Sequence, residues 1–267
     1  CVPCYSDEVF VPTTLITTLA VILLVMFALW CVSLALRNAS IVDPFWGFGF
    51  VIVAWLVFWL REGTAARSVL LLGCTSAWGL RLSLFLLWRN AGHGEDPRYA
   101  AMREHHGQAF WWRSLLTVFG LQGVLLWFIA FPQQFGIVAN APPLDSWDAI
   151  PLLVWLAGFI FETVGDWQLA RFRANPANRG RVLDTGLWRY TRHPNYFGDF
   201  CVWWGFYLIA ARNGAWGTLA SPVLMSILLL YVSGVRLTES SISERRPEYE
   251  KYKRRTNAFF PGPPKAA

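Results

Sequence analysis

The chain has 267 residues, of which 55% are hydrophobic, 16% aromatic and only 15% charged. Soluble domains carry about 25% charged residues, so a surface built for water is excluded. The net charge of +6 calls for no nucleic acid, because basic residues cluster at the ends of apolar runs, where membrane topology accounts for them.

Seven apolar runs follow in order: 11–36, 41–60, 68–88, 111–131, 150–170, 195–211 and 217–235. Several reach the roughly 20 residues that a helix needs to cross the hydrocarbon layer. The pattern predicts an all-α, polytopic integral membrane protein of about seven transmembrane helices. Run 195–211 is the weakest, being short and interrupted by Asp199. The first run is too long for the apolar core of a signal peptide and reads as a retained span.

Charge sets the expected orientation. Arg37 follows span one, and Arg89, Arg98, Arg103 and Arg113 separate spans three and four. Arg171, Arg173, Arg179, Arg181, Arg189 and Arg192 separate spans five and six, and the tail from Arg236 to Lys265 is strongly basic. The opposite side holds only Arg61, Arg67 and Arg212. The positive-inside bias predicts a cytoplasmic C-terminus and an N-terminus outside. The long polar segments 89–110, 171–194 and the tail share the cytoplasmic side, which becomes the expected working face. Cys31, Cys74 and Cys201 fall within spans as small packing residues, and Cys1 and Cys4 lie near the outer face, paired or free. No Cys and His set has zinc-ligand spacing, so no metal is expected.

Ionisable groups inside the spans carry the chemistry. Each costs about 2.5–3.5 kcal/mol in hydrocarbon even on the lenient insertion scale. Asp43 opens span two, and Arg81 lies in the middle of span three. Glu162 and Asp166 stand four apart on one face of span five, with Arg173 seven further on, and Asn195 and Asp199 repeat that four-residue spacing in span six. Taken singly, each can pair with a neighbour, as Arg81 with Asp43 or Asp166. As a set, all but Arg81 gather toward the cytoplasmic ends, which suits a polar cavity opening there. The arginine-rich segment 171–199, relieved by Gly180 and Gly186, suits a polyanion; the plain alternative is basic charge touching lipid headgroups. Arginines for phosphate beside acids and amides for sugar hydroxyls and a carboxamide point to a nucleotide. No Rossmann or Walker loop is present.

The stretch Gly186-Leu-Trp188-Arg189-Tyr190-Thr-Arg192-His193-Pro194-Asn195-Tyr196-Phe-Gly198-Asp199, with Trp203-Trp204-Gly205, resembles the steroid 5-alpha-reductase C-terminal-domain family. The likeness is greatest to its bacterial branch, once called a domain of unknown function. Asn38-Ala-Ser40-Ile-Val-Asp43-Pro-Phe-Trp46-Gly47, Gly94-Glu95-Asp96-Pro-Arg98-Tyr99, Ser233-Gly234 with Glu239, and 249–261 support it across nearly the whole chain. The Arg-His-Pro-Asn-Tyr core is shared with sterol reductases and isoprenylcysteine carboxyl methyltransferases.

The resemblance implies NADPH in a cytoplasmic-side cavity and reduction of a carbon–carbon double bond conjugated to a ketone, on a lipophilic substrate entering from the bilayer. It implies one integral membrane domain over 1–267, with spans one to four (11–131) on the substrate side and 150–261 as the cofactor half. Glu162, Asp166, Arg173, Arg181, Asn195 and Asp199 match cofactor-contact positions, and Arg81 matches a basic position of span three. Arg236, Glu239, Glu244, Tyr249 and Tyr252 fall in the cofactor-covering tail. Asp43 stands for a glutamate that meets the substrate carbonyl, whereas Trp78 stands where a tyrosine is expected; its N–H donates a hydrogen bond but does not readily deliver a proton. In the expected mechanism Arg173, Arg181 and Arg192 take the phosphates. Asp43, kept protonated by desolvation, donates to the carbonyl oxygen, with Tyr99, from the loop after span three, and His193 as further candidates. The rival readings are an S-adenosylmethionine-dependent lipid or prenyl-cysteine methyltransferase, and a non-enzymatic lipid-binding or transport protein. The expected location is a bacterial inner membrane.

Overall fold

The computed structural model describes residues 5–61, 65–139, 143–232, 234, 235, 239 and 248–265. Among them there is no strand, only an isolated parallel bridge between Thr191 and Asn257. Five helices are long and apolar enough to cross a membrane: Pro12–Leu36, Ala39–Leu60, Ala66–Asn90, Pro97–Ile129 and Ser146–Ala174. Their outer faces leave large apolar side chains uncovered, among them Ile16, Leu24, Trp59, Leu84 and Leu153. So broad an apolar exterior suits lipid rather than water. The protein is an all-helical membrane protein.

Two further helices follow. Pro194–Arg212 has 19 residues, and Asn195 and Asp199 in its first two turns lower its hydropathy. Trp216–Val232 is apolar but shorter. The fourth long helix begins earlier than the apolar run predicts: Asp96 caps its start by accepting from the Arg98 N–H at 2.9 Å, and Pro97 occupies the first turn. Tyr99 therefore stands on a helix, where the sequence predicts a loop.

The chain packs as two compact units, one of Cys1–Leu144 with Ala210–Thr218, the other of Asp145–Ile209 with Leu219–Ala267. In the first unit, Gly47 and Gly79 bring helices Val42–Leu60 and Ala66–Asn90 into backbone contact. A Cβ on either glycine would lie 2.5 Å from the other's carbonyl oxygen. Small residues at such crossings let membrane helices gain van der Waals contact, since lipid supplies no hydrophobic force between them. The first helix ends in a Schellman turn with Arg37 left-handed at φ 52°. The Asn38 N–H reaches the Ser33 carbonyl at 3.0 Å and the Arg37 N–H reaches Leu34 at 3.3 Å.

In the second unit the same device joins Ala149–Ala174 to Pro194–Arg212. A Cβ on Gly198 would sit 2.3 Å from the Glu162 nitrogen and 2.6 Å from the Gly158 oxygen, and one on Gly205 would meet the Trp155 backbone at 2.7 Å. The segment after the first of these helices folds back on it. The Trp188 indole N–H donates to the Gly165 carbonyl at 3.2 Å and the Leu187 N–H to the Gln168 side chain at 3.0 Å.

Candidate functional site

In the first unit two sequence motifs close on each other. Asn38 caps the turn Ala39–Ile41 through the Ser40 N–H at 2.8 Å. The Ala39 N–H donates to Glu95 at 2.7 Å, and the Asp96 N–H to the Ser40 hydroxyl at 2.6 Å. Arg103 holds Glu95 in a two-point pair at 2.8 and 2.9 Å. Burial pushes the Glu95 carboxyl up, but the bonds from Arg103 and from the Ala39 N–H outweigh it and leave it below the usual range.

This frame presents Asp43. One of its oxygens accepts from the Tyr99 hydroxyl at 2.6 Å, the other from the Arg98 guanidinium at 2.8 Å. The Gln122 amide donates to the Tyr99 oxygen at 3.3 Å, directly after a π-helical stretch, Leu115–Gly120. Of the three expected proton donors, the fold thus joins two. Both Asp43 oxygens are bonded, so the arrangement suits a carboxylate that orients a phenol, with the hydroxyl hydrogen on Tyr99. Arg98 and Gln122 escape the sequence reading because their partners lie on other helices, where no local period points to them. Trp78 is fully buried against Phe50, ring centroids 5.7 Å apart. Arg81 belongs to this first unit as well, half-buried in Ala66–Asn90.

In the second unit Glu162 and Asp166 are buried, at 4% and 8% exposure, on the face of Ala149–Ala174 that meets Pro194–Arg212. The Asn195 amide donates to Asp166 at 3.1 Å. The Glu162 backbone lies against Gly198, next in sequence to the half-buried Asp199. Gly165, whose Cβ would come within 3.0 Å of the Asn195 nitrogen, allows the pairing of Asn195 with Asp166 one turn along. Arg173, in the last turn of its helix, and Arg181, in the following loop, are exposed. The spacing of these acids and amides was legible; the glycines that let them converge carry no charge and were not singled out.

Two expected site residues serve the tail instead. Arg192 donates through Nε to Glu239 at 2.7 Å and through Nη1 to the Lys253 and Thr256 carbonyls at 3.1 and 2.6 Å. Most of its donors are thereby committed within the chain. His193 is 2% exposed, stacked on Tyr196, with Nε2 3.1 Å from Glu239. Its ring ties the start of Pro194–Arg212 to Glu239. Burial pushes Glu239 up, yet the bonds from His193 and Arg192 prevail and hold it at about 2. Tyr249 and Tyr252 are both buried, the second donating to the Trp188 carbonyl. Arg236 and Glu244 lie outside the described residues.

A family model described as Protein of unknown function (DUF1295) matches residues 29–256. The chain belongs to the DUF1295 family. The DUF1295 match takes in both clusters and the tail through Thr256. An uncharacterized protein of Schizosaccharomyces pombe is 26% identical over 272 residues, covering 87% of this chain and 75% of the relative. A nickel-cobalt-cadmium resistance protein, NccN, of Alcaligenes xylosoxydans xylosoxydans is 30% identical over 118 residues, 44% of this chain and 53% of the relative. No solved structure matches. Among the described residues no group of three His, Cys, Asp or Glu stands close enough to hold a metal ion.

Proposed function

We propose that this DUF1295 protein is a membrane-embedded, NADPH-dependent reductase of a conjugated carbon–carbon double bond in a lipophilic enone, of the steroid 5-alpha-reductase type. The observation that carries the reading is the burial of Glu162 and Asp166 on one face of Ala149–Ala174, against the glycine-lined helix of Asn195, whose amide bonds Asp166 at 3.1 Å. The donors and acceptors there fit a carboxamide and ribose hydroxyls, and Arg173 and Arg181 fit phosphates. Glu162, Asp166, Asn195 and Asp199 would hold the first groups and the two arginines the second. NADPH, when bound, supplies the hydride.

The chain's own residues supply the proton. Tyr99 keeps its hydroxyl hydrogen directed at Asp43, and Arg98 fixes the carboxylate from its far side. To serve a substrate, that single hydrogen leaves Asp43 and turns to the carbonyl oxygen, where it stabilises the arriving negative charge and is then given up. Asp43 positions Tyr99 rather than acting on substrate.

The same reading has seven crossings, with Pro194–Arg212 as the sixth and Trp216–Val232 as the seventh. Nineteen residues rise about 28 Å at 1.5 Å each, close to the roughly 30 Å of hydrocarbon. The basic loops put the C-terminus and the working face in the cytoplasm. The Alcaligenes relative favours a bacterial inner membrane, and the longer match, to a Schizosaccharomyces pombe protein, does not. Metal resistance belongs to the name of that relative, and nothing in the described residues favours carrying it over.

The test is a binding comparison on the purified full chain in detergent. Wild type should bind NADPH in preference to S-adenosylmethionine. Asp166→Ala, eluting and melting as wild type does, should weaken NADPH binding about 10- to 100-fold, the worth of one or two charge-assisted hydrogen bonds. Preference for S-adenosylmethionine transfers the assignment to a methyltransferase. Unchanged NADPH affinity in Asp166→Ala removes the site from this face.

A further inference from the structure

The second unit carries a cavity of about 470 Å³ built from residues with no part in the proposed cofactor site. Asp184, Thr185, Arg189, Arg255, Thr256 and Lys265 line it. The last described segment of the chain closes one wall as a strap. The Thr191 hydroxyl donates to the Phe259 carbonyl at 2.7 Å, the Gly262 N–H to Tyr190 at 3.1 Å, and the Lys265 N–H to Arg255 at 2.8 Å. These bonds fix the backbone of Lys265 beside that of Arg255, so two cations face one space.

The charge there is unbalanced. Asp184 is paired with Arg255, which neutralises the only carboxylate of the lining. Arg189 and Lys265 make no ion pair among the described residues. Among the described residues, what remains is a guanidinium and an ammonium with no carboxylate partner, with the hydroxyls of Thr185 and Thr256 also in the lining. Cationic N–H donors grouped with hydroxyls are the chemistry of oxyanion binding, and guanidinium matches the geometry of phosphate oxygens.

Tyr190, next in sequence to Arg189, is 46% exposed, and Phe260, on the strap, is 63% exposed. Exposed aromatic rings alongside cations are what the boundary between lipid and water selects.

We propose that this cavity binds a phosphate-bearing anion through Arg189 and Lys265, at a site separate from the cofactor cluster. The phosphate can come from a lipid headgroup or from a soluble compound, and two probes tell these apart. In the first, the full chain is released from mixed phosphatidylglycerol–phosphatidylcholine micelles, and the lipid it retains is read by native mass spectrometry. In the second, it is titrated with inorganic phosphate at constant ionic strength. Each is repeated on the double variant Arg189→Ala/Lys265→Ala and on the charge-keeping Arg189→Lys/Lys265→Arg. Both side chains are exposed, so the folded state should tolerate either pair, as circular dichroism checks. The expected result is at least a fivefold loss of binding in the alanine pair with one probe, and recovery to within about twofold of wild type in the charge-keeping pair. Loss with phosphatidylglycerol identifies a headgroup site, and loss with inorganic phosphate a soluble ligand. Equal binding by wild type and the alanine pair with both probes, or no binding of either, overturns the proposal.

Discussion

The Tyr99 hydroxyl donates its hydrogen to Asp43 and accepts one from the Gln122 amide. Replacing it by Phe removes the hydroxyl while leaving the ring packed, so the structural cost is confined to the Asp43 and Gln122 contacts. If Tyr99 is the proton source, Tyr99→Phe should slow single-turnover reduction of an enone about 10²- to 10⁴-fold, the span of general-acid contributions. NADPH affinity should stay within about twofold of wild type. An unchanged rate would clear Tyr99 of any chemical part. Asp43 and Tyr99 were both legible as candidates, because the motifs that hold them carry polar residues where lipid-facing ones would be apolar. Their bond was not legible, since it joins residues 56 apart in sequence and no helical period reaches that far. His193 shows the opposite case. A titratable ring among arginines reads as chemistry in sequence, but its meaning depends on Glu239, whose distance along the chain hid the pairing.

The helices are held by what they lack. At Gly198 a Cβ would meet the Glu162 nitrogen and the Gly158 oxygen, backbone atoms on a neighbouring helix that cannot rotate aside. Gly198→Ala should therefore cost about 1–3 kcal/mol, as overpacking usually does, and lower the melting temperature in detergent by several degrees. Gly73→Ala is the matched control. Nothing lies within 4 Å of its Cβ position, and relief of glycine's helix penalty of about 0.5–1 kcal/mol should leave the protein as stable or slightly more so. Equal melting shifts in the two variants would refute the close-contact account. The long spans were legible because hydrocarbon thickness imposes a minimum apolar length. Their true ends were less so. The helix containing Pro97–His106 has a polar first half, with Arg98, Arg103, His105 and His106, that a hydropathy criterion discards, although Asp96 and Pro97 signal its start.

Across the second unit, one carboxylate ties chain segments far apart. Glu239 receives both Arg192 and His193, and Arg192 in turn holds the carbonyls of Lys253 and Thr256. Because the folded carboxyl titrates near 2, against an ordinary value of 4.5, its contribution is complete above about pH 4.5. It fades as the pH falls toward 2, when protonation removes the charge that both partners need. Hydrogen exchange of 248–257, corrected for intrinsic rates, should be slow from pH 7 to 5 and accelerate below 4. In Glu239→Gln that acid dependence should vanish and exchange should be fast throughout. A profile identical to wild type would exclude Glu239 as the tie. The existence of a polar tail was plain in the sequence; that it would fold back onto 188–193 was not, because hydrogen bonds to backbone carbonyls leave no mark on composition. The fold-back also bears on how the protein is made. Arg192 leaves the ribosome well before Asn257, to whose carbonyl its N–H is bonded at 2.9 Å. At about 5–20 residues per second the segment 186–193 waits on the order of seconds for its partners, so newborn chains pass through an interval in which this part of the second unit is open to chaperones and proteases.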